Sequence, residues 1–220
     1  MYREHVVAAV VPAYNEAAHI GDVITTMPAI VDHIIVVDDQ SSDDTAATAR
    51  LVDDPRVEVI EHTQNKGVGG SIITAHKRAL ALGSDINVVF AGDGQMDPAY
   101  LSDLVDPLID EGLGYTKGNR FYSIGSWEGM PRSRVFGNVV LSFLTKAASG
   151  YWNLFDPSNG YTAITRNALE SINLDAIAER YDFETDMLIN LNIVNTGAAD
   201  VPIPARYGTC LLYTSDAADE

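Results

Sequence analysis

Four short apolar runs in the first half of the chain each stop at a cluster of small, acidic or amide residues. "HVVAAVVP" (5–12) runs into "PAYNE", "HIIVVDD" (33–39) into "DDQSSDD", "VEVIEH" (57–62) into "NKGVGG", and "INVVFAG" (86–92) into "GDGQMD". Continuous apolar runs bounded by turn residues predict strands buried on both faces, so helices must cover both sides of the sheet. The intervening segments supply them. Ile20, Val23, Ile24 and Met27 recur at helical spacing behind Asn15, the expected cap. A second helix opens in "SSDDTAATARLV", a third runs from "NKGVGG" to about Leu82, and a fourth sets Leu101, Leu104, Val105, Leu108 and Ile109 on one face. Strand-helix alternation without repeats predicts an α/β fold with a mostly parallel central sheet flanked by helices.

The second half is less regular. "YTKGN" and "GYTAITR" read as strands, and 121–133 as a loop rich in Gly, Ser, Trp and Arg. A helix follows with Phe136, Val139, Val140, Phe143, Leu144 and Ala147 as its stripe, and "DFETDMLINLNIVNTG" is a helix ending at Gly197. "ADVPIPARY" is an edge strand, because its prolines cannot complete a central ladder. No linker divides the chain, so residues 1–209 form one domain. The stretch "CLLYTSDAADE" (210–220) has neither cap nor periodic face and resembles the translation of a sequencing adapter. It is expected not to be native, with the natural chain continuing past Thr209.

The formal charge is −17, from 14 Lys and Arg against 31 Asp and Glu, which repels phosphate backbones and excludes non-specific nucleic-acid binding. Any anionic ligand must then find a local positive site. No run approaches the roughly 18 apolar residues of a membrane span, so the expectation is a soluble cytoplasmic chain.

In an open parallel sheet, ligands bind beyond the carboxyl ends of the strands, where the four polar clusters lie. The glycine fingerprint of dinucleotide folds and the Walker lysine pattern are both absent. A nucleotide can instead be held by carboxylates that recognise base and ribose hydroxyls, with a divalent cation masking its diphosphate.

"VVPAYNE", "VVDDQSSDDT", "NKGVGG", "GDGQMDP" and "FETDML", in this order, resemble the family 2 glycosyltransferases of the GT-A fold, in the branch that includes dolichol-phosphate-mannose synthases. The resemblance covers roughly residues 5 to 207 and implies a Rossmann-like GT-A sheet. It implies that Pro12, Tyr14 and Glu16 line the nucleotide pocket, that Asp39 contacts base or ribose, and that Asn65 and Lys66 approach the nucleotide, with Gly67 and Gly69 keeping the backbone close. Asp38 is expected to tie turn amides. The family carries two aspartates one residue apart in the fourth motif; here Ala91 takes the first position and Asp93 the second. Asp93 and Gln95 are the expected ligands of Mg²⁺ or Mn²⁺, and Asp97 an N-cap before Pro98.

The resemblance also implies transfer of a hexose, with inversion, from a nucleotide diphosphate sugar of the GDP-mannose or UDP-glucose type. The acceptor is expected to be a polyprenyl or dolichyl phosphate at the inner face of the cell membrane. Lys117, Arg120, Arg132 and Arg134 stand against only Glu128 in 115–135, a local reversal of charge suited to an acceptor phosphate. Lys117, Arg132, Arg134 and Asp156 are the expected acceptor-binding residues, and Asp186, Glu184, Arg134 and Arg120 the catalytic ones. Glu184 and Asp186 diverge by about 200° on a helix, so one of them faces the cleft. Trp127, Met130, Tyr122 and Phe121 are expected either to touch a lipid chain or membrane surface or to anchor the core. Two alternatives stay open: transfer to a glycan or glycolipid hydroxyl with Asp186 as base, and a nucleotide-sugar-binding domain without transfer activity.

Overall fold

The computed structural model describes residues 1–120, 142–156, 159–180 and 182–204. Strand β1 (Val7–Ala13) is followed by α1 (Ile20–Thr25), β2 (His33–Asp38), α2 (Thr45–Leu51), β3 (Val57–Glu61), α3 (Gly67–Ala81), β4 (Ile86–Val89) and α4 (Leu101–Asp110). The second half adds β5 (Tyr115–Asn119), a helical segment over 142–149 (α5), β6 (Thr162–Thr165), α6 (Arg166–Glu170), α7 (Phe183–Ile193) and β7 (Ala198–Pro202). The strands form one sheet in the order β3-β2-β1-β4-β6-β5-β7. Pairing is parallel from β3 through β4 and between β5 and β7, while β6 is antiparallel to both its neighbours. β7 lies at the edge, where Pro202 leaves no unmet ladder bond.

Alternation along the strands sorts the core into two layers. Val7, Ala9 and Val11 of β1 face Ile20, Val23 and Ile24 of α1 and Leu101, Leu104 and Val105 of α4. Ala8 and Val10 face the other way, toward Ile72, Ile73 and Ala75 of α3 and Phe183, Met187 and Leu191 of α7. Each fully buried aliphatic side chain contributes about 1.5–3 kcal/mol relative to exposure, which fixes the register of β1 between β2 and β4. From β1 the chain winds outward through β2 and β3, then returns past β1 to β4. The crevice at such a reversal opens beyond the carboxyl ends of the two strands, here β1 and β4.

Two helix-end expectations are corrected. Helix α1 begins at Ile20 behind His19, without a side-chain cap. Asn15 sits at φ +55° and uses its Oδ1 to accept from the N–H and hydroxyl of Ser42 at 2.8 and 3.1 Å. An Asn tolerates that left-handed backbone, so it ties two loops together instead of capping. Helix α7 stops at Ile193, and the left-handed residue after it is Asn195 (φ +56°), with the Thr196 N–H donating to the Leu191 carbonyl at 2.9 Å. Gly197 therefore lies beyond the helix end. The expected loop at 121–133, the start of the following helix and the tail from 210 lie outside the described residues.

Candidate active site

The loops after β1 and β2 are stitched to each other. The Asn15 N–H donates to Ser41 Oγ at 2.9 Å, the Glu16 N–H to Thr45 Oγ1 at 2.7 Å, and the Ala17 N–H to Asp43 Oδ2 at 3.1 Å. Serine, threonine and aspartate oxygens thus satisfy amides that β1 leaves unpaired at its end. Asp38 Oδ2 accepts from the Ser41 N–H at 3.1 Å, the turn role expected of it, while its buried Oδ1 has no partner.

Asp39 is buried and anchors the next loop. Its Oδ1 accepts from the Lys66 N–H at 2.9 Å and lies 2.7 Å from His62 Nδ1; its Oδ2 accepts from the Gly67 N–H at 2.7 Å. His62 Nε2 in turn lies 2.9 Å from Thr74 Oγ1. A carboxylate therefore already occupies the amino end of α3, the position where a helix would otherwise receive a phosphate.

Gly67 and Gly69 do more than bring backbone toward a nucleotide. A Cβ at Gly67 (φ +86°) would lie 2.8 Å from the Glu179 carbonyl oxygen, and one at Gly69 2.7 Å from Phe183 Cβ. The glycines let the segment leading into α7 lie directly on α3, with the Gly70 N–H donating to the Glu179 carbonyl at 2.9 Å.

A cavity of about 350 Å³ opens between these loops, lined by Pro12, Tyr14, Glu16, Asp39, Asn65, Gly67, Ser71, Asp93 and Arg180 among others. Its size is that of a small-molecule site. The nucleotide residues expected from sequence are brought together here except Lys66, whose contribution is its backbone N–H to Asp39. Tyr14 is half exposed on the wall. Ser71 is fully buried with a hydroxyl that lacks a partner.

Burial, and then the charge of Asp93, raises the Glu16 carboxyl above the usual range. Neither Glu16 nor Asp93 has an ion pair among the described residues, and the His19 charge opposes only part of the Glu16 shift. Asp93 Oδ1 accepts from the Gln95 N–H at 2.9 Å, while the Gln95 side chain is exposed and outside the cavity lining. At the substituted position, the Ala91 N–H donates to Met96 Sδ at 3.1 Å. Two neighbouring acids without an ion pair among the described residues would suit a divalent cation that draws its remaining ligands from a bound diphosphate and water. Asp97 caps the turn at Pro98–Tyr100 as expected, accepting from the Ala99 N–H at 3.0 Å.

The acceptor-side residues sit differently from expectation. Lys117 is fully buried in β5, donates to the Asn159 carbonyl and lies 3.6 Å from Glu184 Oε2, so it is not open to a ligand phosphate. Arg120 forks onto fully buried Asp156, with Nε to Oδ2 at 2.8 Å and Nη2 to Oδ1 at 3.0 Å. The positive window counted along the sequence is thus compensated, in its described part, by carboxylates from elsewhere in the chain. Arg132 and Arg134 lie outside the described residues.

Glu184 and Asp186 do diverge. Glu184 Oε1 stands 3.5 Å from where a Cβ of Gly160 would sit, a point equally close to the Met96 methyl, so Glu184 faces the loop after β4. Asp186 is turned away: its Oδ2 accepts from the Ala178 N–H at 2.8 Å and its Oδ1 from Asn190 Nδ2 at 3.1 Å. Both Asp186 oxygens thereby hold the approach to α7. Arg180 was not expected in the cavity, although it is the only Lys or Arg between Asn167 and Ala205 and precedes the acidic motif, the signal that could have found it.

The sequence profile described as Glycosyl transferase family 2 matches residues 8–172. A UDP-N-acetylglucosamine–dolichyl-phosphate N-acetylglucosaminyltransferase of Methanococcus voltae is 32% identical over 213 residues, covering 90% of this chain and 84% of its own. A polyprenol monophosphomannose synthase of Mycolicibacterium smegmatis is 30% identical over 206 residues, covering 90% of this chain and 76% of its own. Among solved structures, glucosyl-3-phosphoglycerate synthase from Mycobacterium tuberculosis, in complex with Mn²⁺, UDP and glucosyl-3-phosphoglycerate, aligns with a TM-score of 0.68 at 26% identity, covering 94% of this chain and 74% of that one.

Proposed function

The chain belongs to glycosyl transferase family 2 and is a glycosyltransferase of the GT-A fold, and from that premise we propose that it moves a hexose from a nucleotide diphosphate sugar to a polyprenyl phosphate. The observation that carries this reading is the cavity at the β1–β4 reversal, which gathers Pro12, Tyr14, Glu16, Asp39, Asn65 and Asp93 where a nucleotide would lie. Tyr14 offers a face for base stacking, and the Asp39 carboxylate, with three of its acceptor positions taken, keeps one on Oδ2 for a base or ribose donor. Mg²⁺ or Mn²⁺ held by Asp93, with Glu16 opposite, would neutralise the diphosphate as it leaves.

The acceptor class is supported by the two relatives named for dolichyl and polyprenol phosphates. A phosphate oxygen is already anionic when it attacks the anomeric carbon; the bond from that carbon to the diphosphate breaks, and no general base is required. The commitment of Asp186 to Ala178 and Asn190 fits that economy and disfavours a hydroxyl acceptor activated by it. Arg120, oriented by Asp156, is the described cation suited to the acceptor phosphate. Exposed Phe143, Leu144, Trp152 and Phe155 support contact of this side with a membrane surface. Among the described residues no helix is long and apolar enough to cross a membrane.

The test is sugar transfer from a panel of labelled UDP- and GDP-sugars to a short polyprenyl phosphate, with Mn²⁺ or with chelator. Lipid-linked sugar that requires the metal is expected. Transfer only to a glycan hydroxyl, or nucleotide binding with no turnover on any acceptor, would overturn the reading.

A further inference from the structure

We propose that Arg180 binds the diphosphate of the donor, and that Asp186 and the glycines of α3 act through it as positioning residues. The inference rests on the reading of the cavity as a nucleotide diphosphate sugar site. Of the described residues lining that cavity, Glu16, Asp39 and Asp93 are acids and Arg180 is the one cation. A diphosphate brought into such a wall needs positive charge, and the amino end of α3 cannot give it because Asp39 is already seated on the Lys66 and Gly67 amides.

Most of the described arginines are spoken for by carboxylates. Arg3 pairs with Asp106 and Asp110, Arg50 with Glu61, Arg56 with Asp54, Arg78 with Glu58, Arg120 with Asp156 and Arg166 with Glu170. Arg180 is exposed, lines the cavity and has no ion pair among the described residues, and a guanidinium fork matches two phosphate oxygens.

The backbone beneath Arg180 is held from both sides. Before it, the Ala178 N–H donates to Asp186 Oδ2 and the Glu179 carbonyl accepts from the Gly70 N–H. A Cβ at Gly67 would lie 3.2 Å from Arg180 Cγ and 3.4 Å from its Cα, so a side chain there would push the segment off the cavity wall. A long cation on a fixed backbone loses less entropy on binding than one on a mobile loop. This gives Asp186 and the glycine run a role in donor binding that requires no contact with the reacting atoms.

The experiment is calorimetric titration of the full chain, with Mn²⁺ present, using UDP and GDP and, separately, uridine and guanosine. Arg180→Ala should weaken the diphosphate that binds by about 10- to 100-fold, the range of a charge-assisted hydrogen bond, and leave the matching nucleoside unchanged; Arg180→Lys should recover part. Asp186→Ala should show the same selective loss and add little in combination with Arg180→Ala, while Asp186→Asn, which can still accept from Ala178, should recover. Unchanged diphosphate affinity in Arg180→Ala, or equal losses for diphosphate and nucleoside, would overturn the assignment while leaving the proposed function standing. A wild-type chain that binds neither UDP nor GDP would remove both.

Discussion

On the β1–β4 side, Asp39 and Asp93 accept from backbone amides, and Arg180 is the only cation among the described residues of the wall. On the β5–β7 side, Lys117 and Arg120 are each held by a carboxylate, Glu184 and Asp156. The first arrangement leaves negative charge that a metal and a ligand must complete. The described part of the second is close to neutral before any ligand arrives, so a phosphate drawn to Arg120 shares it with Asp156. Donor binding should therefore depend steeply on divalent metal, and acceptor binding on how well Asp156 orients its partner.

The largest test of this contrast is Asp93→Asn. Removing the carboxylate of the metal motif should lower sugar transfer by about 100-fold or more at saturating substrates, and added Mn²⁺ should not restore it. Wild-type rates in this variant would break the donor half of the comparison. Asp156→Asn attacks the other half: with the fork loosened, kcat/KM for the lipid phosphate should fall about 10-fold, while affinity for UDP or GDP stays at the wild-type value. A parallel loss of nucleotide affinity would mean that the two halves are not separable.

A smaller effect is expected from Asp200, which clasps the acceptor side together. Its Oδ2 accepts from Asn119 Nδ2 at 2.8 Å and from the Phe155 N–H at 2.7 Å, it feels the charges of Lys117 and Asp156, and its buried Oδ1 has no partner. Burial pushes its carboxyl up to about 6. The folded chain then binds this proton more tightly than the unfolded chain, so the group adds stability as pH falls from 7 through 6. The gain by pH 5 is about 1 kcal/mol after allowance for partial exposure. Asp200→Asn keeps an acceptor for both donors and should remove that part of the pH dependence, read as the difference between the two proteins in Tm at pH 7 and pH 5. Identical pH profiles would show that the carboxyl does not titrate there. Smallest of all, Ser71→Ala should change stability by no more than about 0.5 kcal/mol in the absence of ligand, because its hydroxyl has no bond to lose; a larger loss would reveal a partner in the folded chain.

What the sequence disclosed follows the same division. The donor cavity is assembled from segments that directly follow parallel strands, so apolar run and polar cluster mark each wall in order: Pro12 and Tyr14 after β1, Asp39 after β2, Asn65 and Gly67 after β3, Asp93 after β4. The acceptor side is assembled by pairs distant along the chain. Arg120 meets Asp156 across 36 residues and Lys117 meets the Asn159 carbonyl across 42, and no local pattern announces either. Counting charge in a window therefore missed that two of its cations, Lys117 and Arg120, are held in ion pairs by the fold. Helical spacing did separate Glu184 from Asp186, but which of the two faces the cleft was set by the Ala178 amide, a contact between a loop and the helix that follows it.

The central claim is that one half of the sheet presents an activated sugar and the other half an anion to receive it. The most direct measurement compares two acceptors of equal chain length, a polyprenyl phosphate and the corresponding polyprenol, with the same donor and Mn²⁺. Transfer to the phosphate with none to the alcohol is the predicted result, because a phosphate oxygen attacks without a base and Asp186, the base expected for a hydroxyl, is turned to Ala178 and Asn190. Equal or preferred transfer to the alcohol would contradict it.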